Sequence, residues 1–150
     1  MNQDGHVRVR DATTTYRIMS AVKSKNTKPE RLLGQAMWKL GLRYRKHYKV
    51  TGKPDFCFIR IKIAVFCDGD FWHGHNWAVR RMNSLEDELE HYDYFWKQKI
   101  IRNIERDKKV NRILENEGWI ILRFWESEIK EAPERCAQKV KIVYDACLGI

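Results

Sequence analysis

The centre of the chain reads Phe66-Cys67-Asp68-Gly69-Asp70-Phe71-Trp72-His73-Gly74-His75, and the other elements are organised around this stretch. It follows a hydrophobic run, residues 61–66, which predicts a strand buried on both faces. Within a few residues the chain then changes to carboxylates, glycines, aromatic rings and histidines. Acids and imidazoles at a strand end suit a metal-assisted site. We therefore predict a functional site where this strand ends.

The other elements are predicted from hydrophobic periodicity, capping residues and turn residues. Helices are predicted for residues 13–22, 29–40, 94–117 and 133–148, and strands for residues 44–50, 55–59, 61–66 and 119–125. The strands at 55–59 and 61–66 are expected to form a hairpin. Residues 78–83 are interpreted as a basic loop. Residues 85–94 are polar, and their secondary structure is ambiguous. The pattern predicts an α/β fold, with one domain at residues 13–150 after a flexible arm at residues 1–12.

Composition and charge limit the classes of function that the chain can have. The chain has 150 residues, a net charge of +9 and an isoelectric point near 9.5. A small domain with this much positive charge usually binds a polyanion, and the alternative is a basic surface that only keeps the protein soluble. No apolar run reaches roughly 18 residues, so no membrane span is expected. Residues 1–10 lack the apolar core of a signal peptide. The four cysteines form no C-x-x-C pair, which favours reduced thiols in a cytoplasmic protein.

Carboxylates flank the predicted hairpin. Asp55 opens its first strand and Asp68 closes its second, so the pair could share a hard cation. Such oxygens suit Mg²⁺, which is usually completed by waters and substrate phosphates. His73 is a candidate base or proton relay, because its unperturbed pKa is about 6.5. The alternative for each residue alone is a turn, cap or hydrogen-bonded loop role.

Aromatic and basic residues surround this loop. Phe71, Trp72 and Trp96 are explained first as core residues, yet Phe71-Trp72 lies between Asp70 and His73. An aromatic side chain can instead wedge between DNA base steps. Candidate phosphate contacts come from basic segments along the chain, for which a solvated surface is the alternative. They are Lys23, Lys25, Arg80, Arg81 and Lys97, with further basic residues at Lys99, Arg102, Arg106, Lys108 and Lys109.

Several segments together resemble the very short patch repair (Vsr) endonuclease family, which nicks DNA beside T:G mismatches. They are residues 19–30, 53–56, 66–75, 103–107 and 118–126, in the order and spacing of that family. The resemblance runs from about residue 17 to 130. It implies a fold similar to restriction endonucleases, of PD-(D/E)XK type, with a mixed central sheet flanked by helices.

The resemblance also implies roles for individual residues. The D/E-x-K element is absent, since Gly69 and Asp70 occupy the positions where its lysine would stand, and His73 is expected to activate water instead. Asp55 is implied as the principal metal carboxylate and the Cys67 carbonyl as a second ligand. Glu30 and Asp107 match acidic positions at the site. Phe71, Trp72 and Trp96 match the aromatic wedge, and Met19 matches an apolar residue inserted from the N-terminal helix.

Two departures from the family pattern matter. Well-known members hold a structural zinc, but the matching positions here are Asp70, His75, Trp77 and Ser127, so no zinc is predicted. The spacing H-x-H at residues 73–75 offers only two ligands, whereas a structural zinc usually takes four. Where well-known members have a second histidine, this chain has Asp68, which could add a metal ligand or alter the mechanism.

These observations predict a DNA endonuclease that uses one or two Mg²⁺ ions and nicks one strand beside a T:G mismatch. A homing or restriction-associated enzyme of the EDxHD type, cutting a matched sequence, is the first alternative. A non-catalytic DNA-binding protein is the second. Expected partners are double-stranded DNA and, as candidates, mismatch-repair proteins or a linked DNA methyltransferase. We expect a monomer, associated with the nucleoid of a bacterial or phage-type cytoplasm.

Overall fold

A computed structural model describes residues 27–150 and provides the structure of the protein. In chain order its elements are α1 (Lys28–Lys39), β1 (Arg45–Lys46), β2 (Phe56–Phe58), β3 (Ile63–Asp68), α2 (Asn76–Val79), α3 (Leu85–Glu90), α4 (Tyr94–Asn116), β4 (Ile120–Trp125), α5 (Glu126–Glu131) and α6 (Pro133–Leu148). The arm and helix predicted for residues 1–22, with Met19, Lys23 and Lys25, lie outside the described residues.

The strands form one mixed sheet in the order β1-β2-β3-β4. Strand β2 is antiparallel to both β1 and β3, whereas β3 and β4 are parallel. The predicted hairpin is confirmed, with Phe56 opposite Val65. Strand β3 is central and almost fully buried, as its unbroken apolar run predicted. Its carboxyl end therefore lies beside β2 on one side and β4 on the other.

Helices cover both faces of the sheet, which explains why β3 is apolar on both sides. On one face, Leu33 and Met37 of α1 pack with α5, α6 and the side chains of Ile63 and Val65. On the other face, α4 packs Leu114 and its neighbours against Ala64 and the adjacent strand residues. The α/β architecture with helices flanking a mixed sheet is thus confirmed.

Helix α1 begins as its sequence predicts. The Thr27 side chain caps it by accepting a hydrogen bond from the Glu30 amide at 3.4 Å, and Pro29 occupies the first turn. This start places Glu30 in the first turn of the helix, where its side chain is only 2% exposed. A buried carboxylate at a helix N-terminus is favoured by the dipole but needs further partners.

Several boundaries differ from the prediction. Strand β1 has two residues instead of the predicted 44–50, since the chain leaves the sheet at His47, where φ is +52°. The short helix α2 enters the region interpreted as a basic loop, and α3 forms where no element was assigned. Helix α5, directly after β4, was missed. None of the helices within residues 27–150 has both the length and the apolar character needed to cross a bilayer.

Candidate active site

A cleft of about 710 Å³ opens at the carboxyl end of β3. Its lining combines acids from three elements with aromatic and basic side chains. Among the lining residues are Glu30, Asp55, Cys67, Trp72, His73, Lys99, Asn103 and Arg106. The loop after β3 and the face of α4 provide most of these groups. The site predicted at the end of this strand therefore corresponds to a real cavity with polar and charged walls.

The first cluster consists of Glu30, His47 and Asp55, of which Glu30 and Asp55 line the cleft. One ligand atom from each side chain lies within 4.8 Å of the other two. The backbone N–H of Cys67 donates a 2.6 Å hydrogen bond to Asp55 Oδ2, which ties this carboxylate to the end of β3. His47 Nε2 is 3.3 Å from Glu30 Oε2. These groups could hold a divalent cation, because carboxylates and imidazole are ordinary metal ligands.

The Asp55 carboxyl group is strongly perturbed. Its pKa is raised to about 7: burial is the main cause, the nearby Glu30 and Asp68 charges add to the increase, and the hydrogen bond from the Cys67 amide opposes it. Two carboxylates in a partly dry site repel each other unless a proton or a cation lies between them. In the metal-free protein, the protonated form of Asp55 is therefore favoured up to a much higher pH than in a free carboxyl group.

The second cluster consists of Asp68, His73 and Asp107, on the side of the sheet that α4 covers. The imidazole is hydrogen-bonded through Nδ1 to Asp107 Oδ2, and its Nε2 lies 3.9 Å from Asp68 Oδ1. Burial lowers the pKa of His73, but the hydrogen bond and charges of the two carboxylates outweigh it and raise the pKa overall. This arrangement fixes the ring and makes it a competent proton acceptor.

Arg123 of β4 completes the second cluster, and it was not predicted from the sequence. Its Nη1 donates to both Asp68 oxygens, at 3.1 and 3.2 Å, while its Nε donates to Asn111. The guanidinium also lies over the Phe66 ring, 4.0 Å from the centroid. The Asp68 pKa is raised by burial, and Arg123 and His73 partly offset that increase. Asp68 is thus compensated by a fixed cation of the protein itself.

The structure does not bring Asp55 and Asp68 into one cluster, as the shared-cation interpretation required. Because Phe56 pairs with Val65, Asp55 lies opposite Phe66 and near Cys67 rather than beside Asp68. Successive strand residues point to opposite faces, so Cys67 and Asp68 diverge at the strand end. Asp68 instead joins His73 and Asp107. Of the two acids that only the resemblance had indicated, Glu30 lines the cleft, and Asp107 is hydrogen-bonded to His73, which lines it.

The aromatic residues are mostly packed. Phe71 and Trp96 are 8% and 3% exposed, and they form a cluster with Leu89 and Ile100. This geometry agrees with the core explanation for these two rings in the DNA-free protein. Trp72 is only partly buried, lines the cleft, and has Lys99 Nζ 5.1 Å from its ring centroid. Of the wedge residues in the described chain, Trp72 is the one presented to the cleft with a partly open surface.

The loop after β3 is anchored to α4. Asn103 donates to the Trp72 carbonyl at 3.0 Å, and Arg106 donates to Asn103 at 2.9 Å. Gly74 adopts φ +70°, and a Cβ at this position would approach Ile104 to 2.8 Å. Only glycine satisfies both conditions easily. These contacts explain how an irregular loop holds His73 in place.

Three of the four positions matched to a family zinc site lie close together, namely Asp70, His75 and Ser127. Asp70 is only 5% exposed. Ser127 donates to it twice, from its amide at 3.1 Å and its hydroxyl at 2.9 Å. His75 Nε2 lies 4.0 Å from Asp70 and the His75 ring stacks on Trp125 at 4.1 Å, while Trp77 makes an edge contact with His75. Hydrogen bonds and ring stacking therefore connect these segments directly.

The basic residues divide into two groups. Lys99 and Arg106 line the cleft, whereas the predicted phosphate contacts Arg80, Arg81 and Lys97 are not among its lining residues. His47, Arg106 and Arg123 were not assigned to the catalytic site from the sequence. Arg106 and Asp107 lie three and four residues after Asn103, and this helical spacing could have indicated that Arg106 is a neighbour of Asn103 on α4. The positions of His47 and Arg123 depend on strand pairing, which single-sequence patterns do not provide.

Comparison with known proteins shows the family to which the chain belongs. Residues 8–79 match the family model described as DNA mismatch endonuclease Vsr. The type II nicking enzyme V.NmeDIP of Neisseria meningitidis serogroup C is 48% identical over 124 residues, covering 82% of this chain and 80% of that protein. The type II nicking enzyme V.HpaIIP of Haemophilus parainfluenzae is 44% identical, covering 84% and 87%. DNA mismatch endonuclease Vsr of Escherichia coli K12 is 29% identical, covering 81% and 75%. The chain therefore belongs to the Vsr family and is a DNA endonuclease.

Proposed function

We propose that this endonuclease nicks one strand of duplex DNA beside a T:G mismatch and that it requires Mg²⁺. The observation that carries the proposal is the convergence of a carboxylate cluster and a carboxylate-bound histidine at one cleft. The names of the similar proteins point the same way, since two are called nicking enzymes and one a mismatch endonuclease. A single cleft that cuts one strand fits the expected monomer.

The first cluster fits a divalent ion. Glu30 and Asp55 present oxygens in a largely buried site. The Asp55 pKa is raised mainly by burial and also by like charges, which a cation would neutralise. The backbone carbonyl of Cys67 is a further candidate ligand, since the Cys67 amide already binds Asp55. A divalent ion held here would polarise a phosphate oxygen and lower the pKa of a nearby water.

We assign proton transfer to the second cluster, which consists of Asp68, His73 and Asp107. His73 would accept the proton of the attacking water through Nε2, because its Nδ1 is bound by Asp107. Asp107 holds the ring orientation and favours the imidazolium form as the proton arrives. Asp68 lies close enough to stabilise the same charge, and its bond to Arg123 keeps it oriented. We therefore assign Asp68 to proton transfer rather than to the ion.

The walls of the cleft suit a bent duplex. Lys99 and Arg106 would contact backbone phosphates, and Trp72 would stack on or between bases at the mismatch. Phe71 and Trp96 would support Trp72 from beneath, since their rings lie 5.3 and 5.6 Å from it. Wedge or phosphate roles for Met19, Lys23 and Lys25 belong to the same proposal.

The finer fold assignment and the partners are part of this proposal. The mixed sheet with helices on both faces supports a restriction-endonuclease-like fold for a single domain at residues 13–150. Mismatch-repair proteins or a linked DNA methyltransferase remain the candidate protein partners. We propose no structural zinc, because Asp70 and Ser127 satisfy each other by hydrogen bonds.

A strand-resolved cleavage assay tests the function. Duplexes labelled on each strand and carrying T:G, other mismatches or matched pairs are incubated with Mg²⁺ or with EDTA. We expect one strand to be nicked on the T:G duplex, only with Mg²⁺, and Asp55→Asn to abolish the nick while retaining DNA binding. Asp145→Asn on α6, whose carboxylate is bound by Lys141, is the matched control.

Other outcomes would replace the proposal. Equal cutting of matched duplexes would favour the homing or restriction-associated alternative. An intact duplex under all conditions, bound with undiminished affinity, would favour a protein that only binds DNA. Nicking that persists in Asp55→Asn would remove that residue from the ion site.

A further inference from the structure

We propose that His47 is a nitrogen ligand of the metal ion held by Glu30 and Asp55, so that the site is a mixed nitrogen–oxygen site that binds Mn²⁺ more tightly than Mg²⁺. The inference rests on the metal site in the proposed function and adds a ligand to it. It concerns the residue that directly follows β1 and that lies beside two acids of the cleft.

Strand pairing places His47 beside Asp55. The β1–β2 register pairs Arg45 with Cys57 and Lys46 with Phe56, so the next pair along the ladder is His47 and Asp55. The His47 amide donates to the Asp55 carbonyl at 3.2 Å, which continues the ladder by one residue. The two residues are therefore held at one level of the sheet by backbone hydrogen bonds, independently of their side chains.

The backbone conformation at His47 carries strain. Its φ of +52° lies in the left-handed region, which is uncommon for residues with a side chain, although histidine enters it more often than most. Such conformations cost about 1–3 kcal/mol and persist where the surrounding structure enforces them, frequently at functional sites. At this position the conformation ends β1 directly opposite the acid that opens β2.

The imidazole is directed at the carboxylates without a hydrogen bond. His47 Nε2 is 3.3 Å from Glu30 Oε2 and is buried, yet it makes no hydrogen bond within the described residues. Ligand atoms of His47, Glu30 and Asp55 lie within 4.8 Å of one another. A nitrogen lone pair facing carboxylate oxygens is unfavourable unless a proton or a metal ion lies between them. A divalent ion satisfies all of these atoms at once.

The competing explanation is an ion pair between protonated His47 and Glu30. Lys46 already supplies a cation to that carboxylate, with Nζ 4.0 Å from Glu30 Oε2. Glu30 therefore has a cationic partner without His47, and the Nε2 geometry does not meet the requirements of a hydrogen bond to Glu30. The ion-pair explanation also leaves unexplained why the histidine lies level with Asp55 rather than along α1.

The ligand set determines which ions bind well. Mg²⁺ prefers oxygen ligands and keeps several waters, whereas imidazole suits first-row transition ions. Replacing one oxygen ligand by imidazole therefore favours Mn²⁺ relative to Mg²⁺. We expect wild-type protein to bind Mn²⁺ at lower concentrations than Mg²⁺, and the difference to shrink when His47 is replaced.

Pulsed electron paramagnetic resonance of Mn²⁺-loaded protein tests the inference without relying on activity. A directly bound imidazole gives ¹⁴N modulation of the Mn²⁺ echo. We expect this modulation in the wild type and in His73→Ala, and its loss in His47→Ala and His47→Gln. Isothermal titration should show Mn²⁺ binding weakened about tenfold or more in both His47 variants, as loss of a metal-site partner typically costs. Circular dichroism establishes that each variant is folded.

The remaining outcomes separate the two levels of the proposal. Bound Mn²⁺ without ¹⁴N modulation in the wild type would overturn the role of His47 and leave the metal site standing. Modulation lost in His73→Ala but kept in both His47 variants would also overturn it. Mn²⁺ binding that is unchanged in Asp55→Asn would instead refute the metal site of the proposed function. Labelling the wild type with ¹⁵N-histidine tests for any histidine ligand even if the His47 variants fail to fold.

Discussion

The Cys67 backbone amide donates a 2.6 Å hydrogen bond to Asp55 Oδ2, joining the end of β3 to the start of β2. This bond fixes the carboxylate in one orientation before any ligand binds. It also lowers the Asp55 pKa, but burial raises it more, so the pKa is about 7. The residue is therefore held in place for metal binding while its charged form remains unfavourable in the metal-free protein.

The metal-free protein should become more stable when Asp55 is replaced by Asn. A raised pKa means that the folded state favours the protonated acid. The free energy of unfolding of the wild type therefore falls as the pH rises from 3.8 towards about 7. Asparagine is neutral at every pH and can still accept the hydrogen bond from Cys67. With EDTA at pH 8, we expect Asp55→Asn to melt at least about 2 °C higher than wild type.

Differential scanning calorimetry at two pH values checks this expectation. At pH 5 the loss of stability has only partly developed, because it accumulates between pH 3.8 and about 7, so the advantage of the variant should be clearly smaller than at pH 8. Asp145→Asn, which removes an α6 carboxylate bound by Lys141, should show no corresponding gain at pH 8. A melting temperature of Asp55→Asn below wild type at pH 8 would mean that the carboxylate stabilises the metal-free fold.

Metal affinity should increase with pH through the same titration. A carboxyl group must lose its proton to become a metal ligand, and Asp55 does so around pH 7. We expect Mn²⁺ affinity, measured by titration calorimetry, to rise steeply between pH 6 and 7 and to level off by pH 8. Buffers with different ionisation enthalpies should reveal proton release on binding at pH 6. Affinity that does not change over this range would contradict the raised pKa.

Capping residues and hydrophobic runs correctly predicted the start of α1 and the burial of β3. The Thr27 cap and Pro29 predicted the start of α1, and thus the depth at which Glu30 lies. The apolar run ending at Phe66 predicted a strand covered on both faces. These features depend on side chains a few residues apart, which sequence periodicity and capping rules describe directly.

The composition of each cluster could not be predicted in this way. Asp55 and Asp68 were interpreted as partners because each flanks the hairpin, but the β2–β3 register and strand alternation direct them to different clusters. His47 reaches Asp55 through the β1–β2 pairing, and Arg123 reaches Asp68 through the β3–β4 pairing. Cross-strand register depends on the whole sheet rather than on neighbouring residues.

Asp107 should act on the reaction only through His73. The Nδ1–H bond to Asp107 orients the ring and favours its protonated form, so Asp107→Asn should slow nicking without weakening DNA binding. His73→Ala should cost about 10²-fold or more, the usual range for a general base. Because the two residues act as a unit, the double variant should be hardly slower than His73→Ala alone.

Single-turnover nicking rates at saturating Mg²⁺ measure this coupling. Glu105→Gln is a suitable control, since this residue lies on the same helix and is exposed. If the losses of the two single variants multiplied in the double variant, Asp107 would have a separate role, such as ligation of an ion. A normal rate in His73→Ala would remove the second cluster from the mechanism.

Asp70 should be important for stability rather than for catalysis. It is nearly fully buried, and it accepts hydrogen bonds from the Ser127 amide and hydroxyl. Alanine would leave that buried amide without a partner, so we expect Asp70→Ala to lose about 2–4 kcal/mol of unfolding free energy. Ser127→Ala keeps the hydrogen bond from the backbone amide to Asp70 and loses only that from the hydroxyl, so it should lose about 1 kcal/mol of unfolding free energy.

Urea unfolding monitored by circular dichroism checks these values, with exposed Glu131→Ala as the control. We also expect atomic emission to find no stoichiometric zinc in the purified protein. Zinc at one equivalent, together with lost stability on chelation, would mean that Asp70 and His75 are metal ligands. An undiminished stability in Asp70→Ala would show that the Asp70 side chain is not needed to connect the two segments.

Trp72 and Trp96 should respond differently to truncation. Trp96 is 3% exposed and packs among Phe71, Leu89 and Ile100, so Trp96→Ala should cost about 3–5 kcal/mol of stability. Trp72 is only partly buried and lines the cleft, so Trp72→Ala should cost less stability but should reduce the ratio of nicking rates on T:G and matched duplexes. The rates are measured under single-turnover conditions on both duplexes, and Trp72→Phe, which keeps a ring, should retain much of the ratio. Equal losses on both duplexes in Trp72→Ala, together with a large loss of stability, would instead make Trp72 a core residue. Mismatch preference would then have to come from another part of the chain.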